Sequence, residues 1–266
     1  MIASDLDGTL LRTDGTISER TRAALQRAQG AGISVVFVSG RHPLTLRTVA
    51  VEAGISEPAV CSNGAIIYDP HQDTMLHHMM LEQSVARRIV LGLRELLPDI
   101  AFAVERGRDF SWEPAFALRR GAAGAHIPVC EDVLHFCAEP ITKLIAWHEE
   151  TNSETLIEYT RGIANEDEVT LTYSTPHHIE ISLAGVHKAA GLEWISAARG
   201  IRPEQVMAFG DMPNDIAMLR WAGHGVAVAN AHPQVLEVAD EVTASNTEDG
   251  VAQVVERLLE GAYEAA

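Results

Sequence analysis

The chain has 266 residues, 47% apolar and 21% charged, the make-up of a globular protein long enough to bury a core without disulfide or metal staples. No apolar run reaches the ~18 residues of a spanning helix, and no basic leader precedes an apolar stretch at the N-terminus, so neither a membrane segment nor a secretion signal is expected. The net charge is −17 and every segment is acidic, which argues against nucleic acid or an anionic membrane surface as partner.

Residues 2–7 predict a short strand running into a loop at Gly8 and Thr9, with a turn at Asp14-Gly15. A helix is expected over 18–31: Ser18 can cap it, Leu25 and Ala28 share a face, and Gly30 and Gly32 end it. The β-branched run 33–38 suits a strand buried on both faces of a parallel sheet, and it stops at Ser39-Gly40-Arg41. A helix near 43–54 and strands at 59–61 and 65–68 follow. Strand alternating with helix predicts a doubly wound α/β sheet.

Near residue 80 the pattern changes. An amphipathic helix over 83–97 is stopped by Pro98, and strands at 100–105, 141–147, 169–174 and 178–183 are separated by helical stretches near 114–123 and 151–165. From about 186 the earlier alternation returns: helix 188–199, strand 206–209, helix 214–222, strand 225–228 and a last helix near 249–261. The reading is a discontinuous Rossmann-like core, 1–80 with 184–266, carrying an inserted α+β domain at 81–183.

Four short pieces at predicted strand ends or helix starts carry the chemistry, and in open parallel sheets such ends converge on one crevice. Asp5-Leu6-Asp7-Gly8-Thr9 offers one carboxylate to attack and a neighbour to move a proton, with a glycine turn whose N–H groups can cup an anion. The same pattern alone also fits solvated loop charges or the metal motif of sugar transferases. Ser39-Gly40-Arg41 supplies a hydroxyl and an N–H suited to phosphate, or a plain helix cap. Lys188 opens a helix in a chain with only one other lysine, Lys143; it reads as a charge neutraliser or a surface lysine. Gly210-Asp211-Met212-Pro213-Asn214-Asp215 adds two carboxylates at a helix start, as metal ligands or as a cap with a solvated acid. Jointly the acids would repel one another unless a divalent cation and Lys188 neutralise them, and the whole set is equipment for phosphoryl transfer.

At these residues the chain resembles the haloacid dehalogenase-like hydrolases, in particular the Cof-type sugar-phosphatase branch with a large α+β (type C2) cap. Asp5-Leu6-Asp7-Gly8-Thr9-Leu10, Ser39-Gly40-Arg41, Lys188 and Gly210–Asp215 match its four motifs in order, and Ser62-Asn63-Gly64-Ala65 matches a further stretch common in the branch. The resemblance implies a mobile cap and a phosphatase of small phosphorylated metabolites, sugar phosphates foremost. It implies that Asp5 attacks phosphorus to form an aspartyl-phosphate, and that Asp7 protonates the leaving oxygen and then activates water. It implies Mg²⁺ held by the Asp5 carboxylate, the Asp7 backbone carbonyl and Asp211, with Asp215 close by. Phosphate would be held by Ser39, Lys188, Asn214 and the N–H groups of Leu6 and Gly40, while Thr9 braces the loop. His187 stands where the branch often has a small polar residue, placing it to touch substrate. Two alternatives remain: a phosphosugar mutase of the phosphomannomutase kind, and a sensor that binds a phosphorylated ligand without turnover. The expected setting is cytoplasmic, as a monomer or weak homo-oligomer.

Other conspicuous residues read as ordinary. Cys61, Cys130 and Cys137 have no CxxC spacing and are expected as reduced thiols. His42, His77-His78 and His177-His178 lack ligand spacing and are expected at surfaces or strand ends. Cys130, His135 and Cys137 are read as packing, and Met79, Met80 and Trp194 as core. Arg106/Arg108 and Arg119/Arg120 are read as solvated arginines beside the aromatic residues Phe110, Trp112 and Phe116.

Overall fold

The computed structural model describes residues 1–119 and 129–261 (for 118 and 119, the backbone alone). In chain order the first elements are β1 (Ile2–Ser4), α1 (Glu19–Gly30), β2 (Val35–Phe37), α2 (Pro43–Ala53), β3 (Ala59–Cys61), β4 (Ile66–Asp69) and β5 (Thr74–His78). Then come α3 (Gln83–Leu96), β6 (Ala101–Arg106), β7 (Asp109–Trp112), α4 (Pro114–Arg119), β8 (Lys143–Trp147), α5 (Ser153–Arg161), β9 (Val169–Thr175) and β10 (His178–Leu183). The chain closes with α6 (Lys188–Ala198), β11 (Met207–Gly210), α7 (Ile216–Trp221), β12 (His224–Val228), α8 (Pro233–Leu236), β13 (Glu241–Thr243) and α9 (Gly250–Leu259). The chain divides into two compact units, Met1–His77 with His187–Ala266, and His78–Val186.

The first unit is built on a parallel sheet of order β13-β12-β11-β1-β2. β1, β2 and β11 are fully buried, which is why they read as unbroken apolar runs. From β1 the chain winds one way to β2, and from β11 the other way through β12 to β13. The winding reverses between β1 and β11, whose register pairs Ser4 with Phe209. Asp5 and Gly210-Asp211 therefore leave the sheet side by side, at the point where such sheets bind ligands. β3, β4 and β5 form a separate small sheet, joined to the parallel one by a bridge from Val38 to Val60.

The second unit is an antiparallel sheet of order β7-β6-β8-β10-β9. The strands alternate. Phe102, Val104, Leu144, Ala146, Ile179 and Ile181 point to the side covered by α3 and α5, where Ile89, Val90, Leu93 and Leu156 complete a core. A smaller cluster on the other side unites Ala101, Ala103, Ile145, Trp112 and Phe116.

Some expectations need correction. Met80 and Trp194 are 41% and 39% exposed, so they are not core. Met80 lies just past a strand whose side chains are largely solvated, and the Trp194 ring stacks on His77 at 5.8 Å. Arg106 is ion-paired with Glu139 at 2.7 Å and lies over the Phe136 ring rather than standing solvated. Arg120, the Arg119 side chain and the later part of the expected 114–123 helix lie outside the described residues. β5, β7, α8 and β13 were not foreseen. The Cys137 thiol is buried and pushed up to about 11 by that burial, in keeping with packing.

Candidate active site

Asp5 is the first residue beyond β1, and its N–H still donates to Phe209 O at 3.0 Å, so the neighbouring strand pins its backbone. The chain then folds back: the N–H groups of Leu10 and Leu11 both donate to Leu6 O. This turn ends the extended run, so Asp5 and Asp7 do not share a side. Asp5 is buried at 4% exposure, whereas the Asp7 carboxylate is exposed. Gly8 makes the turn possible with φ of 80°, and a Cβ there would lie 2.3 Å from Asp211 Oδ2.

Lys188 is the hub. It is the first residue of α6, and its Nζ donates to Asp5 Oδ1 at 2.7 Å and to Asp215 Oδ1 at 2.6 Å. Asp215 Oδ2 accepts from the N–H groups of Asp211 and Met212, both at 3.0 Å, so both its oxygens are committed within the protein. Asp211 Oδ1 accepts from Thr9 Oγ1 at 2.7 Å, and Thr9 thereby braces the turn against the second acidic loop. His187 caps α6, its Nδ1 accepting from Ala190 N–H at 3.1 Å.

The charges do not balance within the protein. Burial raises the Asp5 carboxyl well above its ordinary range; Lys188 opposes the rise, and Asp215 and Asp211 add to it. Asp211 is pushed up to about 6, by burial first and by Asp215 next. Burial alone would lower Lys188, but Asp215 and Asp5 outweigh it and hold the ammonium above the usual lysine value. Oxygens of Asp5, Asp211 and Asp215 lie within 4.8 Å of one another. An all-oxygen, buried set with more negative charge than one lysine can offset is what a hard divalent cation such as Mg²⁺ takes. The residues present therefore fit that metal.

Ser39 is buried at the end of β2, where the register of Ser4 with Phe37 brings it beside the level of Asp5. Its Oγ accepts from Arg41 N–H at 3.1 Å. The Leu6 side chain packs into the core and Gly40 is half-buried in the turn after Ser39. Asn214 follows Asp211 in a short turn of 3-10 helix, and its Nδ2 donates to Asn63 Oδ1 at 3.1 Å. Asp7 is the member that stands apart: Arg41 grips its two oxygens from Nε and a terminal nitrogen, both at 2.6 Å. This bidentate pair holds the Arg41 guanidinium above its ordinary value. Sequence reasoning assigned no partner to Asp7. The signal for one was a long cation four residues past the end of β2, the strand beside the one that leads into the acidic loop.

The chain is similar to known proteins along most of its length. The family model described as haloacid dehalogenase-like hydrolase matches residues 2–255. The chain is 32% identical to the 5-amino-6-(5-phospho-D-ribitylamino)uracil phosphatase YitU of Bacillus subtilis (strain 168), over 95% of each chain. It is 28% identical to the pyridoxal phosphate phosphatase YbhA of Escherichia coli (strain K12), over 96% of this chain and 97% of that one. Among solved structures, a haloacid dehalogenase-like hydrolase from B. subtilis superposes with a TM-score of 0.85 at 26% identity, covering 97% of this chain and 99% of the other.

Proposed function

Because the chain belongs to the haloacid dehalogenase-like hydrolases and is a phosphatase, we propose that it hydrolyses phosphate monoesters of small metabolites through an aspartyl-phosphate on Asp5, with Mg²⁺ as cofactor. The observation that carries this reading is the contrast between its two loop carboxylates: Asp5 is buried on Lys188, and Asp7 is exposed and gripped by Arg41. Lys188 and a divalent cation would hold Asp5 as the carboxylate that attacks, and Asp7, exposed, can exchange a proton with solvent once Arg41 releases an oxygen.

In the first half-reaction an Asp5 oxygen attacks phosphorus, the bond to the leaving oxygen breaks, and Asp7, released from Arg41 and having taken a proton from solvent, gives that proton to the leaving oxygen. In the second, Asp7 takes a proton from water as the water oxygen attacks phosphorus, and the Asp5 carboxylate is released. Lys188 orients Asp5 and offsets its charge. Ser39, Asn214 and the N–H groups of Leu6 and Gly40 are the donors assigned to the phosphate oxygens. Asp5, Asp211 and the Asp7 carbonyl would hold Mg²⁺, with Asp215 fixing Lys188 and the Asp211 backbone rather than binding the ion. The metal, when bound, neutralises charge on the transferring phosphoryl group.

The relatives act on a phosphorylated ribitylaminouracil and on pyridoxal phosphate, so these compounds join hexose and pentose phosphates as candidate substrates, with sugar phosphates first. The test is phosphate release across that panel, with Mg²⁺ and with EDTA. Wild type is expected to release phosphate only with the metal. Asp5→Asn should fall to background, and Asp7→Asn by about 10²–10⁴-fold. Isomer formation from a hexose 1-phosphate without phosphate release would make the protein a mutase. Binding of these compounds without turnover would make it a sensor.

A further inference from the structure

Directly after β3 the chain turns through three successive residues of positive φ: Ser62 at 52°, Asn63 at 56° and Gly64 at 107°. Glycine adopts such values readily, asparagine tolerates them, and serine rarely takes them. Ser62 and Asn63 are also almost completely buried, at 0% and 2% exposure. A run of left-handed residues persists in a buried place only when surrounding contacts over-determine it.

Those contacts reach the segments that carry the assigned phosphate donors. The N–H of Asn63 donates to Ser39 O at 3.1 Å and that of Ser62 to Arg41 O at 3.0 Å. Gly64 lies so close to the start of α6 that a Cβ on it would be 2.3 Å from His187 O, one residue before Lys188. The Asn63 side chain reaches the fourth segment, its Oδ1 accepting from Asn214 Nδ2. An amide group is planar and carries two N–H donors in fixed relation, so binding one of them sets the direction of the other. Asn214 Oδ1 has no partner among the described residues, so the bond to Asn63 is the one that orients this amide.

We propose that Asn63 is a positioning residue of the phosphate subsite: by holding one N–H of Asn214 it presents the second N–H to a phosphate oxygen. This rests on the assignment of Asn214 as a phosphate donor. The strained turn exists to bring one amide to that place from β3, while its backbone ties down Ser39 and the start of α6.

The test is a double-mutant cycle on phosphatase activity toward p-nitrophenyl phosphate with Mg²⁺, read beside inhibition by inorganic phosphate. Asn63→Gly keeps the positive φ without strain and removes only the amide. It is expected to lower kcat/KM about tenfold and to weaken phosphate inhibition by a similar factor, at a higher melting temperature than Asn63→Ala. Asn63→Ala should show the same catalytic loss at a lower melting temperature, which separates the amide from the strain. Asn63→Gly combined with Asn214→Ala should be no worse than Asn214→Ala alone. Multiplying losses in the double variant, or full activity in Asn63→Gly, would overturn the proposal. An Asn214→Ala variant with normal activity and normal phosphate inhibition would overturn it too, through its premise. That outcome is distinguishable from failure of the aspartyl-phosphate reading, which Asp5→Asn tests by itself.

Discussion

Lys143 and Lys188 are the only lysines in the chain, both are buried, and each faces two carboxylates. Lys143 sits between Glu180 at 2.7 Å and Glu105 at 3.7 Å on the sheet of the second unit. Lys188 sits between Asp5 and Asp215 in the first. Basic residues at the surface are arginines, whose forks make exposed pairs such as Arg20 with Glu256. Exposed pairs contribute at most about 1 kcal/mol. Removing the cation from a buried set leaves uncompensated charge and costs about 3–5 kcal/mol. Lys188→Met is therefore expected to lower the unfolding free energy in EDTA by that amount, while Arg20→Ala changes it by less than about 1 kcal/mol. Urea denaturation of the two variants decides this. Equal small losses would mean that the Asp5–Lys188–Asp215 set is already relieved by protonation in the metal-free protein.

At the scale of elements, histidine has a recurrent use that its spacing did not announce. His42, His187 and His232 each cap the helix that follows, with Nδ1 accepting a backbone N–H from within the first turn. In two cases proline is the next residue, which suits the first helical position. Only an unprotonated Nδ1 can accept, and burial keeps His187 below the usual histidine value. His187 is thus assigned to holding the start of α6, where Lys188 begins. His187→Ala should lower stability by about 1 kcal/mol, and His187→Asn, which keeps an acceptor, should recover most of it. Thermal melts of both variants check this, and equal losses in the two would argue against a capping role.

At the scale of the molecule, the two compact units have separate hydrophobic clusters, the larger one in the first unit and two in the second. The proposed metal ligands all belong to the first unit. A ligand that binds only a folded unit stabilises that unit by mass action. Calorimetry with increasing Mg²⁺ is expected to move the transition of the first unit upward and leave that of residues 78–186 nearly in place. The tryptophans allow the assignment: Trp112 and Trp147 report on the second unit, Trp194 and Trp221 on the first. A single transition that moves as a whole would show that the units unfold together.

The amino-acid sequence by itself determined the parallel core, the insert and the order of the four motifs. Strands buried on both faces must be continuous apolar runs, and such runs end abruptly in Asp-, Ser- and Gly-bearing loops, so Asp5, Ser39 and Asp211 were legible as strand-end residues. The edge strands β5, β7 and β13 were not: β5 and most of β13 are partly or wholly exposed, and β7 is only four residues long with Ser111 and Trp112 buried, too short to carry a pattern. Tertiary structure alone decided which partner each charge meets. Asp7 turns out to Arg41, 34 residues away, and Lys188 reaches back 183 residues to Asp5. Asn63 meets Asn214 across 151 residues. Local pattern encodes how a segment folds, because periodicity and turn chemistry act over a few residues. A hydrogen bond between distant side chains exists only once the sheet has set their strands side by side.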